Sequence, residues 1–172
     1  LCVEEDPQAQ KLYKDLFQCY LKEIIFSDNG RDGYKKYLSK DIDIILCSCA
    51  LPKLNGLELI QKIRATDKEI PIIFVLNQPD TSTTQRALKL KVNEVLEKPI
   101  DTQDALNALE GASKIVIANK FLQDSSKMQR LEANEKYSSL QQESAFAKEL
   151  NILRNDFYYQ AIDNENTSLV DF

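Results

Sequence analysis

An apolar run, a polar end and a turn follow one another in Ile42-Asp43-Ile44-Ile45-Leu46-Cys47-Ser48-Cys49-Ala50-Leu51-Pro52-Lys53-Leu54-Asn55-Gly56. The nearly continuous apolar residues 42–47 predict a strand that is covered on both faces, as strands of a parallel sheet are. Asn55-Gly56 is a strong turn signal, and the residues after it, 57–65, have apolar side chains at helical spacing. The stretch therefore predicts a strand, a loop and a helix, with Ser48 directly after the strand.

The same alternation continues on both sides of this stretch. Further short apolar runs predict strands at residues 1–3, 23–27, 71–76 and 92–96. Helical spacing predicts helices at residues 7–20, 32–39 and 83–90. Strands that alternate with helices indicate an α/β fold, a doubly wound, five-stranded parallel sheet with helices on both faces. The short connections favour the flavodoxin-like strand order, in which ligands bind at the carboxyl ends of the strands.

Several polar side chains fall where those predicted strands end. Glu4 and Glu5 follow the first strand, Ser48 follows the third, and Lys98 follows the fifth. Leu76 stands at the corresponding end of the fourth strand. Because the carboxyl ends of parallel strands meet at one edge of the sheet, these residues are expected to form one site.

The chain changes character after Gly111. Residues 112–172 contain no glycine or proline, and helix-forming residues dominate. A loose apolar stripe that includes Ile115 and Leu122 predicts one long helix or a helical hairpin, although polar residues interrupt the heptads. Its expected partner is a second copy in a parallel, coiled-coil-like homodimer, or else the preceding domain. Predicted boundaries are 1–118 for the domain, 119–163 for the helical linker, and 164–172 for the start of a missing output domain.

Charge and composition exclude several classes of protein. Residues 1–100 carry 15 basic and 15 acidic side chains, so the net charge of −5 comes from residues 101–172. An acidic extension repels phosphates, which argues against nucleic-acid binding. No apolar run approaches the roughly 20 residues of a membrane span. Four cysteines without any histidine make a zinc site improbable, and free thiols fit a reduced, cytoplasmic location.

Three motifs, in their order along the chain, resemble the CheY-like receiver domain of bacterial two-component response regulators. They are the acidic pair Glu4-Glu5, the turn Pro52-x-x-Asn55-Gly56 and the pair Lys98-Pro99. The resemblance covers residues 1–118. It implies a site in which acidic residues and an acceptor aspartate hold Mg²⁺ while the aspartate takes up a phosphoryl group. A lysine then contacts the phosphoryl oxygens, a Ser or Thr reorients, and an aromatic ring moves inward.

Carried onto this sequence, most of those functional positions are altered. The acceptor falls on Ser48, whose hydroxyl cannot form an acyl phosphate. The Ser/Thr position falls on Leu76 and the aromatic position on Val95. Lys98 is retained, and its bond to Pro99 resembles the family's cis peptide. Glu4 and Glu5 remain candidate Mg²⁺ ligands, although each is one methylene longer than aspartate and Mg²⁺ demands near-ideal geometry.

The expected function is a phosphorylation-independent signalling module, not an enzyme, without a required cofactor. It would relay its state by dimerisation or protein contact through a face that includes Val95, Pro99, Ile115 and Leu122. Lys98 would pair with Glu4 or Glu5, while a Ser48–Lys98 nucleophile–base pair is a rival interpretation. An unusual but functional phosphoacceptor receiver also fits the sequence, as does the regulatory fragment of an enzyme with serine phosphatase or diguanylate cyclase output.

Overall fold

The computed structural model describes the backbone of residues 1–78 and 80–167, and the side chains of those residues except 147 and 150–167. The chain divides into two compact units, Leu1–Phe121 and Leu122–Phe172. The predicted lead-in to an output domain at residues 168–172 lies outside the described residues. Among the described helices, none is long and apolar enough to cross a membrane.

The first unit contains a five-stranded parallel sheet in the order β2-β1-β3-β4-β5. Its strands are β1 (Cys2–Val3), β2 (Phe26–Ser27), β3 (Ile45–Ser48), β4 (Ile72–Leu76) and β5 (Glu94–Glu97). This is the flavodoxin-like order predicted from the alternation of strands and helices. The order reverses between β1 and β3, which places the topological switch point beside the ends of those two strands.

Five helices follow the strands in turn. They are α1 (Pro7–Phe17), α2 (Gly30–Ser39), α3 (Gly56–Thr66), α4 (Thr81–Lys89) and α5 (Thr102–Thr167). Two groups of buried apolar side chains cover the two faces of the sheet. One group packs β3 and β4 against α3, through residues such as Ile60 and Phe74, and the other packs Tyr13 and Leu109 against the opposite face. Both faces are therefore covered, as a doubly wound sheet requires.

Several details differ from the sequence predictions. The third strand begins at Ile45 and includes Ser48 as its last residue, because Ser48 continues the pairing with Val75 of β4. The first helix ends at Phe17 rather than Tyr20. A helical hairpin is not formed, because α5 is one continuous helix. That helix also continues through residues 164–167, where the sequence suggested a new segment.

The turn after β3 is closed by the residues that marked it in the sequence. The Asn55 side chain accepts a hydrogen bond from the Glu58 N–H at 2.9 Å, and the Glu58 carboxylate accepts one from the Asn55 N–H at 3.3 Å. This capping box satisfies two donors at the start of α3. Gly56 follows at the first position of the helix, where its backbone passes directly over the end of β3.

Gly56→Ala is expected to lower the free energy of unfolding by about 2 kcal/mol or more. A Cβ at this position would lie 2.2 Å from the Ser48 carbonyl oxygen and 3.0 Å from the Phe74 ring, so backbone would have to move. Urea unfolding followed by tyrosine fluorescence measures the effect. Gly111→Ala is the matched control, because nothing lies within 4 Å of its added Cβ. That control is expected to stabilise the helix by about 0.5–1 kcal/mol, and equal losses in both variants would contradict the packing argument.

Candidate site at the carboxyl edge of the sheet

The structure brings together the residues that the sequence placed at the strand ends. Glu4 directly follows β1, Ser48 ends β3, and Leu76 ends β4. Lys98 directly follows β5, and its N–H donates to the Leu76 carbonyl oxygen at 2.8 Å. Glu5 is the exception, because its side chain is exposed to solvent. The site is thus built by adjacent parallel strands that end at the same edge.

An ion pair between Glu4 and Lys98 occupies the centre of this edge. Lys98 Nζ lies 2.8 Å from Glu4 Oε2, and the Glu4 side chain is only 1 % exposed. The other carboxylate oxygen of Glu4, Oε1, accepts a hydrogen bond from the Asp6 N–H at 3.1 Å. The sequence left the choice between Glu4 and Glu5 open, and the structure selects Glu4. A buried carboxylate needs such partners because its desolvation is costly.

Ser48 lies beside this pair but is closed off from solvent. The residue is 0 % exposed, and its Oγ has no hydrogen-bond partner among the described residues. A buried hydroxyl without a partner costs about 1–3 kcal/mol. The hydroxyl is therefore a neutral, inaccessible group at the position to which the resemblance assigns the acceptor, and among the described residues no ion pair or hydrogen bond links it to Lys98. This arrangement does not provide the activated base that a Ser48–Lys98 nucleophile would need.

The donor atoms at this edge do not fit Mg²⁺. Among the described residues, no group of three or more Asp, Glu, Cys or His side chains is placed to hold a metal ion. Glu4 is already engaged by Lys98 and the Asp6 N–H, Glu5 points to solvent, and Ser48 supplies no charge. Mg²⁺ prefers carboxylates in near-ideal octahedral geometry. No step of the chemistry is therefore assigned to a metal.

The two positions that the resemblance assigns to the switch residues, Leu76 and Val95, carry apolar side chains that pack in the domain. Leu76 is buried in the apolar core, and Val95 is half-buried on β5. Val95 and Pro99 line one cavity of about 620 Å³ between β5 and α5, whereas Ile115 and Leu122 do not line it. Ile115 is half-buried on α5, and Leu122 belongs to the second unit. The Lys98–Pro99 peptide bond is cis, as the resemblance implies.

Sequence reasoning missed two neighbours of the ion pair on α1. Gln10 Nε2 donates to the Glu4 carbonyl oxygen at 2.6 Å, which fixes the backbone of the acidic residue. Tyr13 is buried, and burial followed by the nearby Glu4 charge raises the pKa of its phenol above the ordinary value. The two residues are three apart on one helix face. That spacing is visible in the sequence, but the sequence does not show that this face of the helix packs against Glu4.

The four cysteines are free thiols and do not form a redox pair in the structure. Burial raises the pKa of the Cys2 thiol to about 12 and also raises the pKa of Cys47, because each thiolate would be desolvated. Cys49 is half-buried, and burial raises its pKa as well. Thiols held protonated at neutral pH are poor nucleophiles. The Cys47-x-Cys49 pair therefore has the character of packing residues.

Glu4→Ala is expected to lower the free energy of unfolding by about 2–4 kcal/mol, because it leaves the Lys98 ammonium without its buried partner. The Lys98 side chain is 24 % exposed, so partial rehydration keeps the loss toward the lower end. Glu5→Ala is the matched control: it removes the neighbouring, exposed carboxylate and is expected to cost less than about 0.5 kcal/mol. Urea unfolding compares the two, and similar losses would argue that the ion pair has no structural role.

Comparison with known proteins identifies the family. The model of the response regulator receiver domain matches residues 1–110. Chemotaxis protein CheY1 of Helicobacter pylori (strain J99) is 27 % identical over 114 residues, which cover 64 % of this chain and 92 % of that protein. Regulator of RpoS of Escherichia coli (strain K12) is 25 % identical, over 63 % of this chain and 32 % of its own length. Hybrid signal transduction histidine kinase D of Dictyostelium discoideum is 22 % identical, over 72 % of this chain.

The chain spans only 8 % of that kinase and about a third of Regulator of RpoS, so these resemblances concern one domain of longer proteins.

Solved structures share the fold. The signal receiver domain of an HD domain-containing protein from Pseudomonas fluorescens Pf-5 superimposes with a TM-score of 0.65 at 19 % identity, covering 68 % of this chain and 94 % of that one. The signal receiver domain of a LuxO repressor protein from Vibrio parahaemolyticus superimposes with a TM-score of 0.66 at 18 % identity, covering 70 % of this chain and 93 % of that one. Because the family model covers residues 1–110 and the fold agrees with it, the chain belongs to the response regulator receiver domains of two-component signalling.

Proposed function

We propose that this chain is a receiver that signals by protein contact and does not transfer a phosphoryl group to Ser48. The observation that supports the proposal best is the closed site. Ser48 is fully buried without a hydrogen bond, and Lys98 pairs with Glu4. The resemblance implies that this lysine contacts the phosphoryl oxygens in an active receiver. Here its charge is already satisfied inside the domain.

The side chains around Lys98 leave the site without a group that could switch between two positions. Lys98 is held both by Glu4 and by its own N–H on the Leu76 carbonyl oxygen. Leu76 has no hydroxyl to reorient, and Val95 has no ring to move between two positions. A site without these groups has no bistable element that a phosphate could bias. We infer that the domain stays in one conformation and that partner binding or assembly provides the signal.

The second part of the proposal concerns assembly through α5. Between residues 122 and 146 this helix exposes several large apolar side chains: Leu122, Met128, Leu131, Tyr137, Leu140 and Phe146. An exposed helix with such residues needs a partner to cover them. We propose that a second copy of the chain is this partner, in a homodimer located in the cytoplasm. A linked output domain would then receive the state of the dimer.

Mass spectrometry after incubation with acetyl phosphate and Mg²⁺ tests the first part, and measurement of the oligomeric state tests the second. Each can fail without the other. A phosphoryl adduct at Ser48 would favour an unusual but functional phosphoacceptor instead. A monomer without an adduct would leave a receiver whose partner is a different protein.

A further inference from the structure

A polar pocket lies at the β2 end of the sheet, away from the Glu4–Lys98 pair. It occupies about 590 Å³ between the end of β2, the start of α2 and the loop from β3 to α3. Glu4, Ser48 and Lys98 do not line it. Its walls carry four cationic side chains, Arg31, Lys35, Lys36 and Lys53. Asp28 and Asp32 are its two carboxylates, which leaves the lining with an excess of positive charge.

The two carboxylates are already engaged within the protein. Asp32 Oδ2 lies 2.6 Å from Lys36 Nζ and accepts a hydrogen bond from Ser27 Oγ at 2.7 Å. These two interactions hold the pKa of Asp32 below its ordinary value, with the Lys36 hydrogen bond the larger cause. Asp28 accepts a hydrogen bond from Asn29 Nδ2 at 2.6 Å. Lys36 also donates to the Phe26 carbonyl oxygen at 2.8 Å, so its charge serves the fold.

Three cations in the pocket have no such partner. Among the described residues, Arg31, Lys35 and Lys53 form no salt bridge. They come from two separate elements, α2 and the loop after β3, and they face the same concave space. Like charges gathered in a concavity raise the local positive potential and attract anions. Because Arg31, Lys35 and Lys53 are exposed, the pocket presents an excess of positive charge to solvent and to any anion that enters it.

The backbone at Lys53 is held in an uncommon conformation. Its φ is 67°, in the left-handed region that non-glycine residues seldom adopt. A hydrogen bond from the Leu54 N–H to the Pro52 carbonyl oxygen, 2.8 Å, closes a three-residue γ-turn around it. The same carbonyl accepts the Gly30 N–H at 3.4 Å, which ties the turn to the start of α2. Lys53 thus lines the pocket from a constrained turn, whereas Arg31 lines it from α2.

We propose that this pocket binds a small anion through phosphate groups, with Arg31, Lys35 and Lys53 as its ligands. A phosphate group matches the fork of the Arg31 guanidinium, which donates two parallel hydrogen bonds, while the lysines supply point charges. The pocket volume lies in the range of small-molecule sites. Two linked phosphates suit three cations better than a single carboxylate does. This site is independent of the closed Ser48 site and of the dimer.

Isothermal titration of the full chain with pyrophosphate tests the proposal. Arg31→Ala and Lys53→Ala are each expected to weaken binding about 5–10-fold, and added salt is expected to weaken it further. Lys68→Ala is the matched control, because Lys68 is an exposed lysine in the loop between α3 and β4 and does not line the pocket. The control is expected to bind as the unaltered chain does. Failure of the unaltered chain to bind, or equal weakening by Lys68→Ala, would overturn the proposal.

Titrations with adenosine diphosphate and adenosine identify the part of the ligand that is recognised. Equal affinity for pyrophosphate and adenosine diphosphate would support a site for phosphate groups alone. Tighter binding of adenosine diphosphate would support a nucleotide ligand held through its phosphates, provided that Arg31→Ala weakens it. Binding of adenosine as tight as that of adenosine diphosphate would contradict the role assigned to the cations.

Discussion

Incubation with acetyl phosphate and Mg²⁺ is expected to leave the intact mass of this chain unchanged. Ser48 presents a hydroxyl that is 0 % exposed, where phosphotransfer would need an accessible carboxylate. The described residues offer no three-ligand metal set, and the Lys98 ammonium already contacts Glu4. A receiver that carries the acceptor aspartate, treated in parallel, is expected to gain one phosphoryl group. The added mass is expected in that receiver alone, because it carries an acceptor carboxylate, whereas the resemblance assigns the acceptor position of this chain to Ser48.

Ser48→Ala is the control that interprets any adduct. It removes the hydroxyl at a buried position and adds no volume, so the fold is expected to persist. An adduct on the unaltered chain that disappears in Ser48→Ala would identify Ser48 as an acceptor and overturn the proposed function. An adduct that persists would point to another residue. Asp43 is a poor candidate for it, because this residue precedes β3 and pairs with Lys120 at 2.7 Å.

Leu131→Glu is expected to weaken self-association of the full chain by about 10–100-fold. Leu131 is 50 % exposed on α5, and Met128, one turn earlier on the same face, is 60 % exposed. In a dimer both would be buried against the second copy, and a carboxylate there would lose its water. Sedimentation equilibrium over a range of protein concentrations measures the change in the dissociation constant.

Gln129→Glu is the matched control for this helix. It adds the same charge two residues away, which is about 200° around a helix of 3.6 residues per turn. Because that position faces away from Leu131, the control is expected to associate as the unaltered chain does. An unaltered chain that stays monomeric throughout would contradict the dimer, as would equal effects of both substitutions.

The fold was predictable because its signals are local. Apolar runs such as residues 71–76 and the capping residue Asn55 each determine their own element, and alternation of the elements leads to a parallel sheet. The prediction of a doubly wound, CheY-like fold is confirmed by the sheet order and by the family match. The ends of elements were less certain. Ser48 was expected after β3, and it became part of the strand because the neighbouring strand β4 extends far enough to pair with it.

The candidate site, like the fold, could be predicted only in part from the sequence. The residue types at the strand ends were available from the sequence, and the resemblance assigns the acceptor position to Ser48, which has no carboxylate. The choice of Glu4 over Glu5 was not available, since adjacent residues after a strand differ only in the direction their side chains take. The roles of Gln10 and Tyr13 were also hidden, because their contacts with Glu4 depend on how α1 packs against β1.

The sequence by itself determined the strand–helix alternation that folds as a receiver, and it determined which side chains stand at the strand ends, among them Glu4, Ser48 and Lys98. Only the tertiary structure decided what those groups do. It buried Ser48, directed Lys98 to Glu4, and brought Lys53 and Arg31 to the lining of one pocket. The physical reason is that element formation depends on neighbours along the chain. Burial, ion pairing and pocket charge depend on distances between segments that lie far apart in sequence.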